Sequence, residues 1–246
     1  MGCVRENNED SAYAGSRLIA VADGMGGYAG GEVASSTVIG SLRSLDADVP
    51  VDDLEGALGR AVAEANEKLR IAREERPDLS RMGTTLTAML WSGKHIALAH
   101  IGDSRGYLLR DGELFQITQD HTMDQLLKAE QGRPDEQGEP SRLSHVLYRV
   151  LDGREDRDPD LRRREAMLGD RYLLCSDGLS GVVDPQTIYE VLSEQAEPAD
   201  AIRRLIELAR DGGGPDNITC VIADVVEGDP AGTVRDPQVV GAAGQL

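Results

Sequence analysis

Aromatic residues are scarce in this 246-residue chain: one Phe, one Trp and six Tyr. A core must therefore be built from Ala, Val, Leu and Ile, and hydrophobic residues at 40% of the chain suffice for one, which argues against wholesale disorder. Cysteine is also sparse. Cys3, Cys175 and Cys220 stand apart with no CxxC spacing, which excludes a disulfide frame and a zinc ribbon and reads as reduced thiols of a cytoplasmic protein. With four His as well, ligands for soft metals are few. No apolar run reaches the roughly 20 residues of a membrane span, and no secretory leader opens the chain. Met1-Gly2-Cys3 lacks the Ser or Thr that N-myristoylation wants at the sixth position, where Glu6 stands. Positive charge is short too: 26 Lys+Arg against 44 Asp+Glu leave −18, which argues against nucleic acid and anionic membrane as partners.

Aspartate is what the chain has in plenty, so a hard cation such as Mg²⁺ or Mn²⁺ is the natural metal. The hydropathy pattern gives a hairpin over 12–22, a helix over 30–46 and a clearer helix over 53–75, where Leu54, Leu58, Val62, Ala65 and Leu69 share a face. Residues 84–118 read as an antiparallel meander of four strands. A short helix follows at 122–131, then residues 132–145, polar with Gly and Pro, read as a mobile loop. A strand over 170–175, helices over 185–195 and 198–210, and a buried strand over 217–226 complete the pattern. From Glu227 the composition is Gly, Pro, Ala and polar residues without period, so a structureless tail is expected over 227–246. One α+β domain of helices on antiparallel sheets fits this order.

A local design recurs. LIAVA runs into Asp23-Gly24, LAHIG into Asp103-Ser104 and YLLCS into Asp177-Gly178, while Asp216-Asn217 and Glu9-Asp10 stand just before strands. Any one of these reads as a turn, because Asp caps its own backbone and Gly accepts positive φ. Five together change the weighing. If strand ends converge, the acids crowd, and two carboxylates 4 Å apart repel by roughly 4 kcal/mol at an effective dielectric near 20. Cations between them resolve that, and a pair of divalent ions is a device for hydrolysing phosphate esters.

The motifs VRENNEDS (4–11), VADGMGG (21–27), GEVAS (31–35), MGTTLTA (82–88), HIGDSRGYLLRDGEL (100–114), LCSDGL (174–179) and GGGPDNIT (212–219) resemble, in order, those of the type 2C metal-dependent protein phosphatase (PPM) family. They look most like bacterial members, and among these the actinobacterial ones that oppose Ser/Thr protein kinases. The resemblance implies a four-layer α-β-β-α sandwich over 1–226 with a dimetal site at one edge of the sheets. It implies hydrolysis of phospho-Ser and phospho-Thr by a hydroxide bridging two Mn²⁺ or Mg²⁺, with a third, weaker metal site. Carried over by motif, Asp23 bridges both metals and the Gly24 carbonyl is a ligand. Asp10 holds one metal, Asp177 and Asp216 hold the other, and Asp103 shares the third with Asp177. Arg5 stands where the family binds substrate phosphate, and a guanidinium fork suits two phosphoryl oxygens. Partners on this reading are phosphorylated proteins, Ser/Thr kinases among them, met by a cytoplasmic monomer. The rival reading is a phosphoprotein-binding pseudophosphatase, which a missing metal carboxylate would favour.

Several residues read more simply. Asn217 shapes the turn after Asp216, His121 and His100 are structural or support the site from behind, and Cys175 is packing. Two departures from the family stand out: Met25 where many members have a His proton donor, and Tyr28 where bacterial members often have His. The family also has a strand ahead of Arg5. Its absence implies either an upstream start or a missing edge strand, leaving a sheet edge open beside Arg5 and Asp10.

Overall fold

The computed structural model of the chain describes residues 2–27, 30–130, 142–227 and 236–245. Strands β1 (Ser11–Ala14) and β2 (Leu18–Ala22) form the expected hairpin. Its turn is tied by Asp46, which accepts from the Arg17 amide at 2.6 Å and from the Tyr13 hydroxyl at 2.9 Å. After the short β3 (Gly24–Met25) come α1 (Gly30–Leu42) and α2 (Leu54–Glu75). Strands β4 (Gly83–Thr84), β5 (Leu86–Ser92), β6 (His95–Ile101), β7 (Arg105–Arg110) and β8 (Glu113–Gln116) follow, then α3 (Met123–Glu130). The rest is β9 (Asp160–Glu165), β10 (Arg171–Cys175), α4 (Asp177–Ser180), α5 (Pro185–Glu194), α6 (Pro198–Asp211), β11 (Cys220–Asp224) and β12 (Gln238–Gly241).

Two antiparallel sheets stack. One has the order β12-β1-β2-β5-β6-β9, the other β11-β10-β7-β8, and β3 and β4 pair separately. Strand alternation sorts the side chains into three apolar layers. Leu18, Ala20 and Ala22 of β2 face α1 and α2, where Val38, Leu42, Leu58 and Leu69 meet them. Ile19 and Val21 point the other way, into the layer between the sheets with Met89, Leu98, Tyr172 and Leu174. On the far side, Leu173 and Cys175 of β10 pack on Ile188, Leu192 and Leu205 of α5 and α6. The result is the α-β-β-α sandwich. Few large rings fill it, and Trp91 meets Tyr172 edge-on between the sheets with centroids 5.8 Å apart.

The structure corrects three expectations and adds a strand where the pattern gave none. First, the four strands over 84–118 are not one meander. β5 and β6 pair in the first sheet and β7 and β8 in the second, so the chain crosses between sheets at Gly102-Asp103. Gly102 makes that crossing at φ +109°, against Thr85, where a Cβ would lie 2.5 Å from the threonine methyl. Second, β9 is a strand although its sequence is DLRRRE. It is an edge, where charge guards against stray pairing; Arg163 lies 3.8 Å from Glu55 of α2. Third, β11 begins at Cys220, not 217, because Asn217 serves the site described below and the Thr219 amide donates to Ser176 Oγ at 3.1 Å. Fourth, the end of the chain is structured: β12 pairs with β1 from Ser11↔Gly241 to Ala14↔Gln238, and a 3-10 turn follows over Ala242–Gln245. The edge of β1 expected to lie open beside Asp10 is therefore covered by β12, while residues 228–235 lie outside the described residues. Most of the loop expected at 132–145 does too; its last residues, 142–145, form turns.

Candidate metal centre

Asp23 leaves the end of β2 and is fixed through its backbone. Its N–H donates to Thr85 Oγ1 at 3.0 Å, and its carbonyl accepts from the Thr84 hydroxyl and the Thr85 amide, both at 2.9 Å. The next residue, Gly24, sits where a Cβ would lie 2.2 Å from the Gly31 carbonyl oxygen and 2.4 Å from that of Glu9. Only glycine allows the start of α1 and the 9–10 segment to close on β3 in this way. The loop that carries Asp103 is held by Thr85 and Thr87 through Ser104. Thr85 Oγ1 meets Ser104 Oγ at 2.7 Å, and Thr87 Oγ1 donates to the Ser104 carbonyl at 3.0 Å. His121 grips the loop from behind: its N–H donates to the Gly102 carbonyl at 2.8 Å and its Nδ1 accepts the Gly102 amide at 3.0 Å. Its Nε2 faces Arg149 Nη1 at 2.9 Å and Asp160 Oδ2 at 3.3 Å, which also pair with each other.

The second sheet supplies Asp177 and Asp216, and the segment before β1 supplies Asp10. Asp177 opens α4 directly after β10, and beside it Gly178 comes so close to the Asn217 carbonyl that a Cβ would be 1.9 Å away. Asp10 is fully buried; its Oδ2 accepts the Ser176 hydroxyl at 2.9 Å. Asp216 takes its following amide at 2.8 Å and the Arg5 guanidinium at 2.7 Å. Asn217 stitches the two chain segments, accepting from the Glu9 amide at 2.8 Å and donating to the Asn7 carbonyl at 2.9 Å.

Five carboxylates, Asp10, Asp23 and Asp103 from strand ends of the first sheet and Asp177 and Asp216 from those of the second, thus face one another, and their electrostatics show it. Burial, then the charges of Asp10, Asp177, Asp103 and Asp216, hold Asp23 well above the ordinary carboxylate range. Asp10 is pushed up to about 6, by burial first, with Asp177 adding to it. Asp103 rises to about 7 through burial, then Asp177 and Asp120. Asp177 is raised by burial and then by Asp216. Two oxygens, Asp10 Oδ1 and Asp177 Oδ1, are buried with no hydrogen-bond partner among the described residues, an arrangement that costs free energy unless a cation or donor meets it. Among the described residues no three His, Cys, Asp or Glu side chains are drawn in as a closed cage. The orphaned oxygens, the all-oxygen donor set and the Gly24 cradle nevertheless fit hard divalent cations such as Mn²⁺ and Mg²⁺.

Every acid singled out in the sequence comes to this place, with Arg5 at its rim. Arg5 is raised by its hydrogen bond to Asp216, and Glu9 and Asp23 add to the pull. His100 and His121 are buried, with ring centroids 4.9 Å apart. Burial and then His121 push His100 down to about 3, so that ring is neutral. Cys175 is buried packing. Met25 is at the site's edge in β3, and Tyr28 lies outside the described residues. Sequence reasoning passed over Thr84, Thr85 and Thr87, which organise Asp23 and Asp103; their signal is a polar TTLT on a strand otherwise buried. It also passed over His145, an exposed imidazole whose charge reaches Asp177.

The sequence profile described as Protein phosphatase 2C matches residues 2–133. The serine/threonine protein phosphatase PstP of Mycobacterium tuberculosis is 54% identical over 228 residues, which cover 93% of this chain and 44% of that protein. The chain thus spans less than half the length of that curated relative. The serine/threonine phosphatase stp of Listeria monocytogenes is 31% identical over 234 residues, covering 91% of this chain and 92% of that protein. Among solved structures, the catalytic domain of PstP in complex with two manganese ions matches at a TM-score of 0.85 and 54% identity, over 92% of this chain and 95% of that one.

Proposed function

The chain belongs to the protein phosphatase 2C family, and on that footing we propose that it is a metal-dependent protein serine/threonine phosphatase, hydrolysing phospho-Ser and phospho-Thr. The observation that carries the reading is the pair of partnerless buried oxygens, Asp10 Oδ1 and Asp177 Oδ1, in a cluster whose central acid is Asp23. In this reading Asp23 would be shared by two metals, Asp10 and the Gly24 carbonyl would help hold one, Asp177 and Asp216 the other, and Asp103 with Asp177 a third, weaker one. Two manganese ions in the PstP catalytic domain support the number and kind of ion. Bound there, divalent cations supply a nucleophile by bringing the pKa of water toward neutrality, and positive charge against the phosphoryl oxygens.

The chain's own groups do the rest. Arg5 leaves Asp216 to fork onto two phosphoryl oxygens, which binds and orients the dianion. Thr85 holds Asp23 and, through Ser104, the Asp103 loop to one another, which fixes the acids before substrate arrives. The leaving serine oxygen needs a proton, and Met25, with only a thioether, has none to give.

Phosphorylated proteins, Ser/Thr protein kinases among them, are the partners this reading implies, met by a monomer in the cytoplasm and serving signalling. No helix among the described residues is long and apolar enough to cross a membrane. The pseudophosphatase reading has no support, since every metal carboxylate of the motif is present. The test is release of phosphate from a phosphoserine peptide with Mn²⁺ and with EDTA, beside Asp23→Asn.

A further inference from the structure

The last described residues do more than cover an edge. Where β12 ends, Gly241 lies opposite Ser11 at φ +77°, so close to the hairpin that a Cβ would stand 2.1 Å from the Asp10 carbonyl oxygen. Left-handed φ and the missing side chain are both required there. The Ala242 N–H then donates to that same carbonyl at 2.8 Å, and the Ala243 N–H donates to Ser11 Oγ at 3.0 Å. Ser11 Oγ meets Ser35 Oγ of α1 at 2.9 Å, and Ser35 Oγ donates to the Glu9 carbonyl at 2.6 Å. Three successive residues, Glu9, Asp10 and Ser11, are thus gripped from outside by the chain's end and by α1. Their one inward-pointing carboxylate is Asp10, with Oδ2 on Ser176 and Oδ1 bare.

We propose that this C-terminal strap, β12 with the turn after it, is a positioning device for the Asp10 carboxylate, and that loosening it weakens metal binding before it unfolds the domain. The inference rests on the reading of Asp10 as a metal ligand. Its physical basis is tolerance. A ligand set works only within about 0.5 Å of its geometry, and the 10–11 peptide has the strap on its outer side. Val239 and Ala243 anchor the strap separately, packing at the margin of the α1/α2 layer. Ala243 serves both roles, but Val239 only anchors while Gly241 and Ala242 only position, so the two can be separated.

The experiment uses the full chain, with Mn²⁺ affinity from calorimetric titration and melting temperature in EDTA. Gly241→Ala pushes a methyl at the Asp10 carbonyl. Ala242→Pro removes the N–H that donates to the Asp10 carbonyl and sets the ring Cδ where that hydrogen pointed, so it releases and displaces the same carbonyl at the first residue of the 3-10 turn. Val239→Ala weakens the anchor without touching Asp10. The expected result is Mn²⁺ affinity lower by about 10–100-fold in Gly241→Ala and Ala242→Pro, the range seen when groups orienting a ligand are lost. Val239→Ala should melt earlier yet bind Mn²⁺ within about twofold of the parent, well short of that range. Unchanged affinity in Ala242→Pro, or affinity that merely follows melting temperature across all three variants, would overturn the proposal. Asp10→Asn separates the two levels. If it binds Mn²⁺ like the parent, the reading of Asp10 as a ligand is wrong; if it loses Mn²⁺ while Ala242→Pro keeps it, only the strap's role is.

Discussion

Arg5 donates to Asp216 across 2.7 Å, joining the N-terminal segment to the turn before β11 with both side chains open to solvent, 57% and 33% exposed. An exposed pair of this kind contributes about 0–1 kcal/mol to stability, so its place at the rim of an acid cluster is better explained by exchange. A phosphate dianion offers the guanidinium two oxygens where Asp216 receives one contact. Arg5→Ala should therefore raise KM for an aryl phosphate about tenfold or more, the scale of one charge-assisted hydrogen bond of roughly 1.5–3 kcal/mol, while the melting temperature stays close to the parent's. Arg5→Lys should restore little of this, because an ammonium cannot fork. Steady-state kinetics beside a melting curve checks both statements.

Burial and the charges of Asp10, Asp177, Asp103 and Asp216 all oppose ionisation of Asp23. Asp23→Asn should abolish tight Mn²⁺ binding and at the same time raise the melting temperature of the metal-free protein near pH 8, because one member of a repelling set becomes neutral. A metal-free melting temperature lower than the parent's would show that the cluster is not under the strain described.

The pH dependence has a definite sign. Asp10 at about 6 and Asp103 at about 7 lie above an ordinary aspartate at 3.8. The folded state therefore binds more protons than the unfolded one between about pH 4 and 7, and its stability falls as pH rises through that window. In EDTA the protein should melt at a higher temperature at pH 5.5 than at pH 8, as far as these groups decide it. Saturating Mn²⁺ should lift the melting temperature at pH 8 most, and Asp103→Asn should flatten the metal-free slope.

What the sequence disclosed follows from how each feature is encoded. The acids were legible because each sits in a short motif at a strand end, where turn chemistry and metal chemistry want the same Asp-Gly. The helices α2 and α6 were legible from their apolar spacing. The crossing at Gly102-Asp103 was not, since a hairpin turn and a passage between stacked sheets look alike in four residues, and the deciding contact with Thr85 is distant in sequence. Strand β9 hid because an edge strand carries no apolar alternation, and β12 because Val239 and Val240 lie between Pro and Gly. Only pairing with β1 makes that segment a strand.

Thr85 is the most economical test of what the sequence left unsaid. Its hydroxyl accepts the Asp23 amide and meets Ser104 Oγ. Thr85→Val keeps the shape and removes both contacts, leaving a buried donor unpaired at a cost of about 1–3 kcal/mol. Urea denaturation should show that loss, and turnover should fall with it; Thr85→Ser should recover both.

The most direct measurement of the whole account is turnover of a phosphoserine peptide as Mn²⁺ is titrated into the EDTA-treated protein, parent beside Asp23→Asn. The account predicts no turnover in EDTA, a saturable rise with Mn²⁺, and for Asp23→Asn at saturation less than about a tenth of the parent kcat, a deficit above roughly 1.4 kcal/mol. Turnover that persists in EDTA, or an Asp23→Asn variant that keeps more than that tenth, would contradict it.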